Sequence, residues 1–200
     1  LEPVDLPGTM RYIARSVRGE LELTRGNVRT AALIQRVSLC YAGNWRSILG
    51  SGSQWELYIL SMCLVTDVEL SPDDAVELDA RAVRARATSL LREILSDPAP
   101  LQRDIPTLMA FAAAVGLSAV AAEDAGSDRR AVGGELVATA LAVGTNQTCR
   151  LLSHDYLRSR TERLDARALT QAEERIRSLD RGGLVAHAAD LAGRLAGEVG

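Results

Sequence analysis

The stretch that decides the fold is residues 105–122, IPTLMAFAAAVGLSAVAA, which contains no charged residue. Its length is close to the roughly 20 apolar residues that cross a bilayer as a helix. However, the run is rich in alanine, is interrupted by Pro106, Gly116 and Ser118, and has acidic residues at both ends without a positive anchor. We therefore predict a buried central helix rather than a membrane span, and we expect no membrane association.

The composition around this run favours an all-α fold. Aromatic residues make up only 4% of the chain, so alanine, leucine and valine must fill the core. Alanine has the best helix propensity, whereas strands favour β-branched and aromatic residues. A length of 200 residues fits one domain. We predict a single all-α domain over residues 1–200, a bundle of about seven or eight helices with an alanine-rich core, after an irregular lead-in at residues 1–9.

Apolar periodicity and capping signals predict where the other helices lie. Ser71 and Pro72 mark the clearest helix start, and Thr170 with Glu173 resembles a capping box. Gly182-Gly183 is expected to end the helix predicted for residues 171–181. Residues 36–41 also alternate with period two, so the segment 28–41 is open to helix or strand. The predicted helices cover residues 10–23, 28–41, 55–65, 72–96, 128–163 (with a disturbance at Gly133-Gly134), 171–181 and 184–195.

Three of these helices have an apolar face that can be read from the spacing. The first carries Ile13, Val17 and Leu21, and the second carries Leu33, Val37 and Cys40. The helix over residues 72–96 carries a longer face, made of Val76, Ala80, Val83, Ala87, Leu90 and Ile94.

All 23 basic residues are arginine, and the chain contains no lysine. Schiff-base and pyridoxal phosphate chemistry, the P-loop and protein-kinase catalysis all need a lysine amine. Arginine cannot replace it as a base or nucleophile because its guanidinium does not deprotonate in proteins. The bias indicates a GC-rich bacterial genome, and it excludes those chemistries in their usual form.

Charge and cysteine content narrow the partners further. The net charge is −3, with an isoelectric point near 5.5, which argues against nucleic-acid binding. Cys40, Cys63 and Cys149 are odd in number and widely spaced, so they indicate reduced thiols in the cytoplasm. With two histidines, no CxxC pair and no GxGxxG turn, we expect neither a metal nor a cofactor.

The first candidate site is an anion-binding strip formed by Arg150, His154 and Arg158. These residues are spaced i, i+4 and i+8, so they share one side of a helix if residues 128–163 form a single helix. Two guanidiniums beside an imidazole suit a phosphate or carboxylate. The alternative is a solvated surface near a helix end, where basic residues are favoured by the helix dipole.

The second candidate is an aromatic cluster in a chain that is otherwise poor in aromatic residues. Tyr41, Trp45, Trp55 and Tyr58 lie within one short stretch, beside polar loops. Such a cluster can line a ligand pocket or anchor an interface. The alternative is that these rings fill a thick part of the core.

Two functional hypotheses follow from these features. The first is a non-enzymatic helical interaction module (an adaptor, chaperone or regulatory subunit) that binds a partner protein or forms a two-fold homodimer. The second is a helical effector domain or enzyme with an inter-helix pocket for a small molecule or anion. Catalysis is the less favoured prediction because no GxSxG elbow is present and His187 has no nucleophile nearby in the sequence.

Overall fold

The computed structural model describes residues 8–43, 54–96, 104–122, 126–145 and 149–197, and every regular element in those ranges is a helix. The chain is therefore an all-α bundle, as predicted. The elements in these ranges are α1 (Gly8–Thr24), α2 (Val28–Gly43), α3 (Gln54–Asp67), α4 (Pro72–Glu77), α5 (Ala80–Ser96), α6 (Ile105–Ala121), α7 (Ser127–Val143), a 3₁₀ helix (Arg150–Leu152), α8 (His154–Ile176) and α9 (Arg181–Gly197).

Helix α6 is the centre of the bundle, which confirms the prediction of a buried helix. Every residue from Leu108 to Val120 is buried, because α6 packs against α3, α5, α7 and α8. Pro106 lies in the first turn, where its missing N–H is not needed. In the described ranges, no helix is both long and apolar enough to cross a membrane.

Helices α6 and α7 approach each other closely in the core, at Gly116 and Gly133. A Cβ placed on Gly116 would lie 2.5 Å from the Gly133 carbonyl oxygen, and one on Gly133 would lie 2.7 Å from the Gly116 carbonyl oxygen. Each glycine therefore leaves room for the backbone of the other helix. The predicted disturbance at Gly133-Gly134 is wrong, since both residues lie inside α7.

The predicted helix over residues 72–96 is two helices. Ser71 caps α4 as predicted, with its Oγ accepting from the Asp74 N–H at 3.3 Å. The chain then turns at Asp79, whose φ of 52° is left-handed, and α5 starts in a new direction. Val76 is consequently 83% exposed, while the predicted face of α5 is buried: Ala80, Val83, Ala87, Leu90 and Ile94.

The predicted helix over residues 128–163 is also wrong as a single element. Gly144, with a φ of 112°, ends α7, and the 3₁₀ helix follows after a short connection. Ser153 then caps α8, with its Oγ accepting from the Tyr156 N–H at 3.4 Å. The sequence did carry a signal for this break, because Gly144 is followed by four polar residues, TNQT at 145–148.

Helix α8 spans the end of the helix predicted for residues 128–163 and the first part of the helix predicted for residues 171–181. It is kinked at Asp165, which has non-helical φ and ψ and accepts from the Ala168 N–H at 2.8 Å. The predicted capping box is wrong, because Thr170 lies inside the helix and donates to the Ala166 carbonyl at 3.0 Å. Gly182 and Gly183 begin α9 rather than ending the helix before it.

The remaining segments agree with the predictions, except that α1 begins at Gly8, inside the lead-in predicted for residues 1–9, of which residues 1–7 lie outside the described ranges. Residues 28–41 are helical, within α2, and α3 is buried almost all round. Helix α9 buries Leu184, Ala188, Leu191 and Leu195 against α5 and α7. Helices α1 and α2 form a hairpin, and α2 connects that hairpin to α3.

We predict that Gly116→Ala and Gly133→Ala each lower the free energy of unfolding by about 2–3 kcal/mol, since the added methyl group must push backbone away. Chemical denaturation followed by circular dichroism measures this. Gly193→Ala in α9 is the matched control, because nothing lies within 4 Å of its added Cβ. That variant should gain about 0.5–1 kcal/mol from helix propensity. Equal stability of all three variants would contradict the close approach.

Candidate functional site

Arg150, His154 and Arg158 do not share one side of a helix, so the geometric basis of the anion strip is wrong. Arg150 lies in the 3₁₀ helix, and His154 is the first residue of α8. Between them, Ser153 has extended backbone with φ −68° and ψ 153°. The spacing i, i+4 and i+8 therefore places only His154 and Arg158 on consecutive turns.

The guanidinium of Arg158 is already bound to carboxylates. Its Nε donates to Glu162 Oε1 at 2.9 Å, and its Nη2 donates to Glu173 Oε2 at 3.3 Å. The kink in α8 brings Glu173 back to this position, and the pKa of Arg158 is raised mainly by Glu173. An anion at Arg158 would therefore have to displace two carboxylates.

Two residues of the aromatic cluster can be placed. Trp55 and Tyr58 lie one turn apart on α3, and both line a cavity of about 380 Å³, here called the Trp55 cavity. Trp55 is 43% exposed and Tyr58 is half-buried. Trp45 and the side chain of Tyr41 lie outside the described residues, so their part in the cluster stays a prediction.

The Trp55 cavity collects side chains from four parts of the chain. Its described walls come from α1, α3, the start of α6 and the region of the 3₁₀ helix. They mix apolar, aromatic and polar groups, and they contain two carboxylates and no arginine. The lining residues are Val17, Glu20, Gln54, Trp55, Tyr58, Ser61, Asp104, Thr107, Ala110, Cys149 and Leu152.

Hydrogen bonds fix several polar groups of the Trp55 cavity. The Cys149 thiol lies 3.6 Å from Glu20 Oε2 and donates to it. Thr107 donates to Asp104 Oδ2 at 2.7 Å, and the Ser61 hydroxyl donates to the Leu57 carbonyl within α3. The two carboxylates therefore have neutral donors as partners, which leaves their charge uncompensated by these contacts.

The cysteine and tyrosine of the Trp55 cavity are protonated at neutral pH. Burial raises the pKa of the Cys149 thiol to about 11, and the charge of Glu20 adds to the effect. Burial also raises the pKa of Tyr58. Since the thiolate is the reactive form of cysteine, Cys149 is a poor nucleophile.

A buried charged cluster, which sequence analysis missed, joins α7, α8 and α9. Glu135 is 9% exposed and accepts from Arg175 Nε at 2.9 Å through Oε2. Its other oxygen, Oε1, lies 2.8 Å from His187 Nε2. One signal was available: Glu135 is the only charged residue between positions 132 and 143, and a buried acid needs a partner. The partners themselves lie 40 and 52 positions away.

No metal site is formed by the part of the chain that the structure describes. There, no group of three or more histidine, cysteine, aspartate or glutamate side chains is arranged to hold an ion. The described thiols are all free, with Cys63 and Cys149 buried and Cys40 exposed.

The apolar faces predicted for α1 and α2 lie at the surface where they are described, and the side chain of Ile13 on α1 lies outside the described residues. On α2, Leu33 and Val37 are each 45% exposed and Cys40 is exposed; we call these three residues the outer stripe. On α1, Val17 and Leu21 are 44% and 51% exposed.

The opposite side of the α1–α2 hairpin is buried and consists mostly of small and polar residues. Ser16 donates to Gln35 Oε1 at 2.9 Å, and Gln35 Nε2 donates to the Ser16 carbonyl at 3.0 Å. Gly19 packs against the Gln35 side chain, where a Cβ would lie 2.4 Å from Nε2. Val17, Leu21 and the outer stripe thus lie on one side of the helix pair, while Ser16, Gly19 and Gln35 join the two helices on the other.

We predict that the Glu135 cluster makes stability depend on pH. Burial alone would raise the pKa of Glu135, but hydrogen bonds from Arg175 and His187 outweigh it and lower the pKa. The ionised carboxylate therefore stabilises the fold above its unfolded pKa of about 4.3, and this contribution is lost as the pH falls through the lower folded value. Glu135→Gln should cost about 1–3 kcal/mol at neutral pH.

Urea denaturation at a series of pH values measures the effect. The difference between the native chain and Glu135→Gln should narrow as the pH falls below about 4. Glu174→Gln, on an exposed position of α8, is the matched control and should change neither the stability nor its pH profile. A difference that stays constant from neutral to acid pH would refute the assignment.

Among known proteins, no family model matches this chain, and neither a curated protein nor a solved structure is detectably similar to it.

Proposed function

We propose that this protein is a non-enzymatic helical interaction module that forms a homodimer through the outer stripe of α2. The observation that carries this proposal is that the α1–α2 hairpin exposes large apolar residues to solvent. Four of its large apolar residues, two on each helix, are 44–51% exposed, although small and polar residues occupy much of the buried side beside Leu39. Contiguous exposed apolar surface on a folded domain is typical of a protein interaction site.

A second copy of the chain fits the outer stripe. Leu33, Val37 and Cys40 are spaced i, i+4 and i+7, which is the spacing of the seam between two packed helices. A two-fold axis would place each stripe against itself, and this is the commonest symmetry of oligomers.

Charge also favours pairing of two α2 helices. Its only charged residues are Arg29 and Arg36. Arg29 pairs with Asp74 and Glu77 of α4, and Arg36 Nη2 donates to Asp67 at 2.9 Å. Because both guanidiniums are matched by carboxylates within the same chain, two copies would meet without strong repulsion between like charges.

The chemistry of the cysteines supports a non-catalytic role in the cytoplasm. Burial raises the pKa of Cys63 to about 12 and that of Cys149 to about 11, so neither thiol is activated. Free cysteines, one of them exposed, suit the reducing cytoplasm, which is the compartment we propose.

We predict that Val37→Glu weakens self-association by about 100-fold or more, because each copy would place an unpaired carboxylate in an apolar contact. Sedimentation over a concentration series up to the order of tens of micromolar measures the dimer constant. Val76→Glu on α4 is the matched control, since the same substitution falls on a valine that is 83% exposed and lies outside the hairpin. This control should leave the dimer constant unchanged.

Two results would reject the homodimer. One is a native chain that remains monomeric throughout the series. The other is equal weakening by Val37→Glu and Val76→Glu, which would indicate a general effect of added charge. Circular dichroism of both variants checks that the helices are intact.

A second candidate function is small-molecule binding, and the Trp55 cavity favours it. Its volume of about 380 Å³ lies within the range of about 300–1,000 Å³ that is usual for ligand pockets. Its walls combine aromatic rings with a few polar groups, as such pockets commonly do. The two candidates do not exclude each other, because the outer stripe and the cavity share no residue.

A further inference from the structure

Among the described residues that line the Trp55 cavity, every charged side chain is a carboxylate, and this favours one charge of ligand. Its described walls contain the carboxylates of Glu20 and Asp104 but no arginine, in a chain with 23 arginines. Elsewhere the most buried acids are matched by arginine: Glu56 by Arg86, Asp67 by Arg36 and Glu135 by Arg175. The described lining therefore holds the part-buried Glu20 and the exposed Asp104 with no arginine among its residues.

The hydrogen bonds of these two carboxylates do not supply positive charge. Glu20 accepts from the Cys149 thiol, and Asp104 accepts from the Thr107 hydroxyl. A carboxylate has about four acceptor positions on its two oxygens, so each retains capacity for a further donor. A positively charged donor would form the shorter and stronger class of hydrogen bond there.

The aromatic rings favour a cation of a particular kind. Trp55 and Tyr58 both line the cavity, and the faces of indole and phenol rings attract ammonium groups. Val17, Ala110 and Leu152 supply apolar wall for an uncharged part of the ligand. A bare metal ion would find few ligands, since the described residues hold no group of three or more metal-binding side chains.

We infer that the Trp55 cavity binds a small organic cation, namely a protonated amine joined to an apolar or aromatic body. The ammonium group is held by Glu20 and Asp104, and the body packs against Trp55 and Tyr58. This inference deepens the second candidate function and is independent of dimerisation through the outer stripe.

Three probes of similar size test the charge preference: phenethylamine, phenethyl alcohol and phenylacetate, which are cationic, neutral and anionic at neutral pH. Isothermal titration calorimetry on the full chain measures their affinities, and tryptophan fluorescence reports contact with the rings. Phenethylamine should bind at least about 10-fold more tightly than either of the others. Equal affinities, tighter binding of phenylacetate, or no saturable binding of phenethylamine at millimolar concentration would overturn the inference.

Isosteric variants locate the site. Glu20→Gln and Asp104→Asn should each weaken phenethylamine binding by about 10-fold and leave phenethyl alcohol unaffected. Glu174→Gln and Asp190→Asn remove the same charges at exposed positions on α8 and α9, so they should bind as the native chain does. Loss of affinity in all four variants would indicate a net-charge effect and not this site.

A fold control and a dimer control separate the possible failures. Circular dichroism identifies any variant that has lost helical structure. Tyr58→Phe, which removes only a hydroxyl group, is a milder change in the same wall of the cavity. Val37→Glu should leave phenethylamine affinity unchanged, because it lies outside the cavity. If that variant abolished binding, the ligand would depend on the dimer, and the cavity of a single chain would not be the site.

Discussion

The contact between Gly116 and Gly133 is the constraint on which the rest of the structure depends. Helix α6 has no polar side, so it must be surrounded, and α7 covers one side at a distance that only glycine allows. This close approach lets short alanine side chains fill the space between the helices, since a wider separation would leave voids among them. The low aromatic content is therefore compatible with a dense core because the helix backbones themselves come together.

Buried ion pairs complement this packing by joining specific helices. Glu56 of α3 pairs with Arg86 of α5, Asp67 of α3 with Arg36 of α2, and Glu135 of α7 with Arg175 of α8. Alanine and leucine surfaces fit one another in several registers, whereas a buried carboxylate tolerates only the register that brings its arginine. We regard these pairs as specifying which helices meet rather than as a main source of stability. Arginine suits the task because its planar fork binds a carboxylate in a defined orientation.

The sequence was sufficient to predict the features that depend on local pattern. The uncharged run over residues 105–122 predicted α6, the Ser71-Pro72 pair predicted the start of α4, and the spacing of Leu184 and Leu191 predicted the buried side of α9. Where the prediction failed, a single backbone conformation decided the outcome. Asp79 and Gly144 both have positive φ, and each follows the end of a helix inside a segment that was predicted as one continuous helix. The candidate site was predictable only in part, because Trp55 and Tyr58 are neighbours in sequence, while Glu20, Asp104 and Cys149 join them only through the tertiary fold.

The contacts that hold the α1–α2 hairpin together make α1 easier to open than the centre of the bundle. Ser16, Gly19 and Gln35 join the two helices through hydrogen bonds and close packing of Gly19 against the Gln35 side chain. Helix α1 packs mainly against α2, with few contacts to the rest of the bundle. Segments with few buried apolar contacts open at a lower free energy than the core around them. The amide hydrogens of α1 should therefore exchange with solvent well before those of α6, through local openings in which the central bundle stays folded.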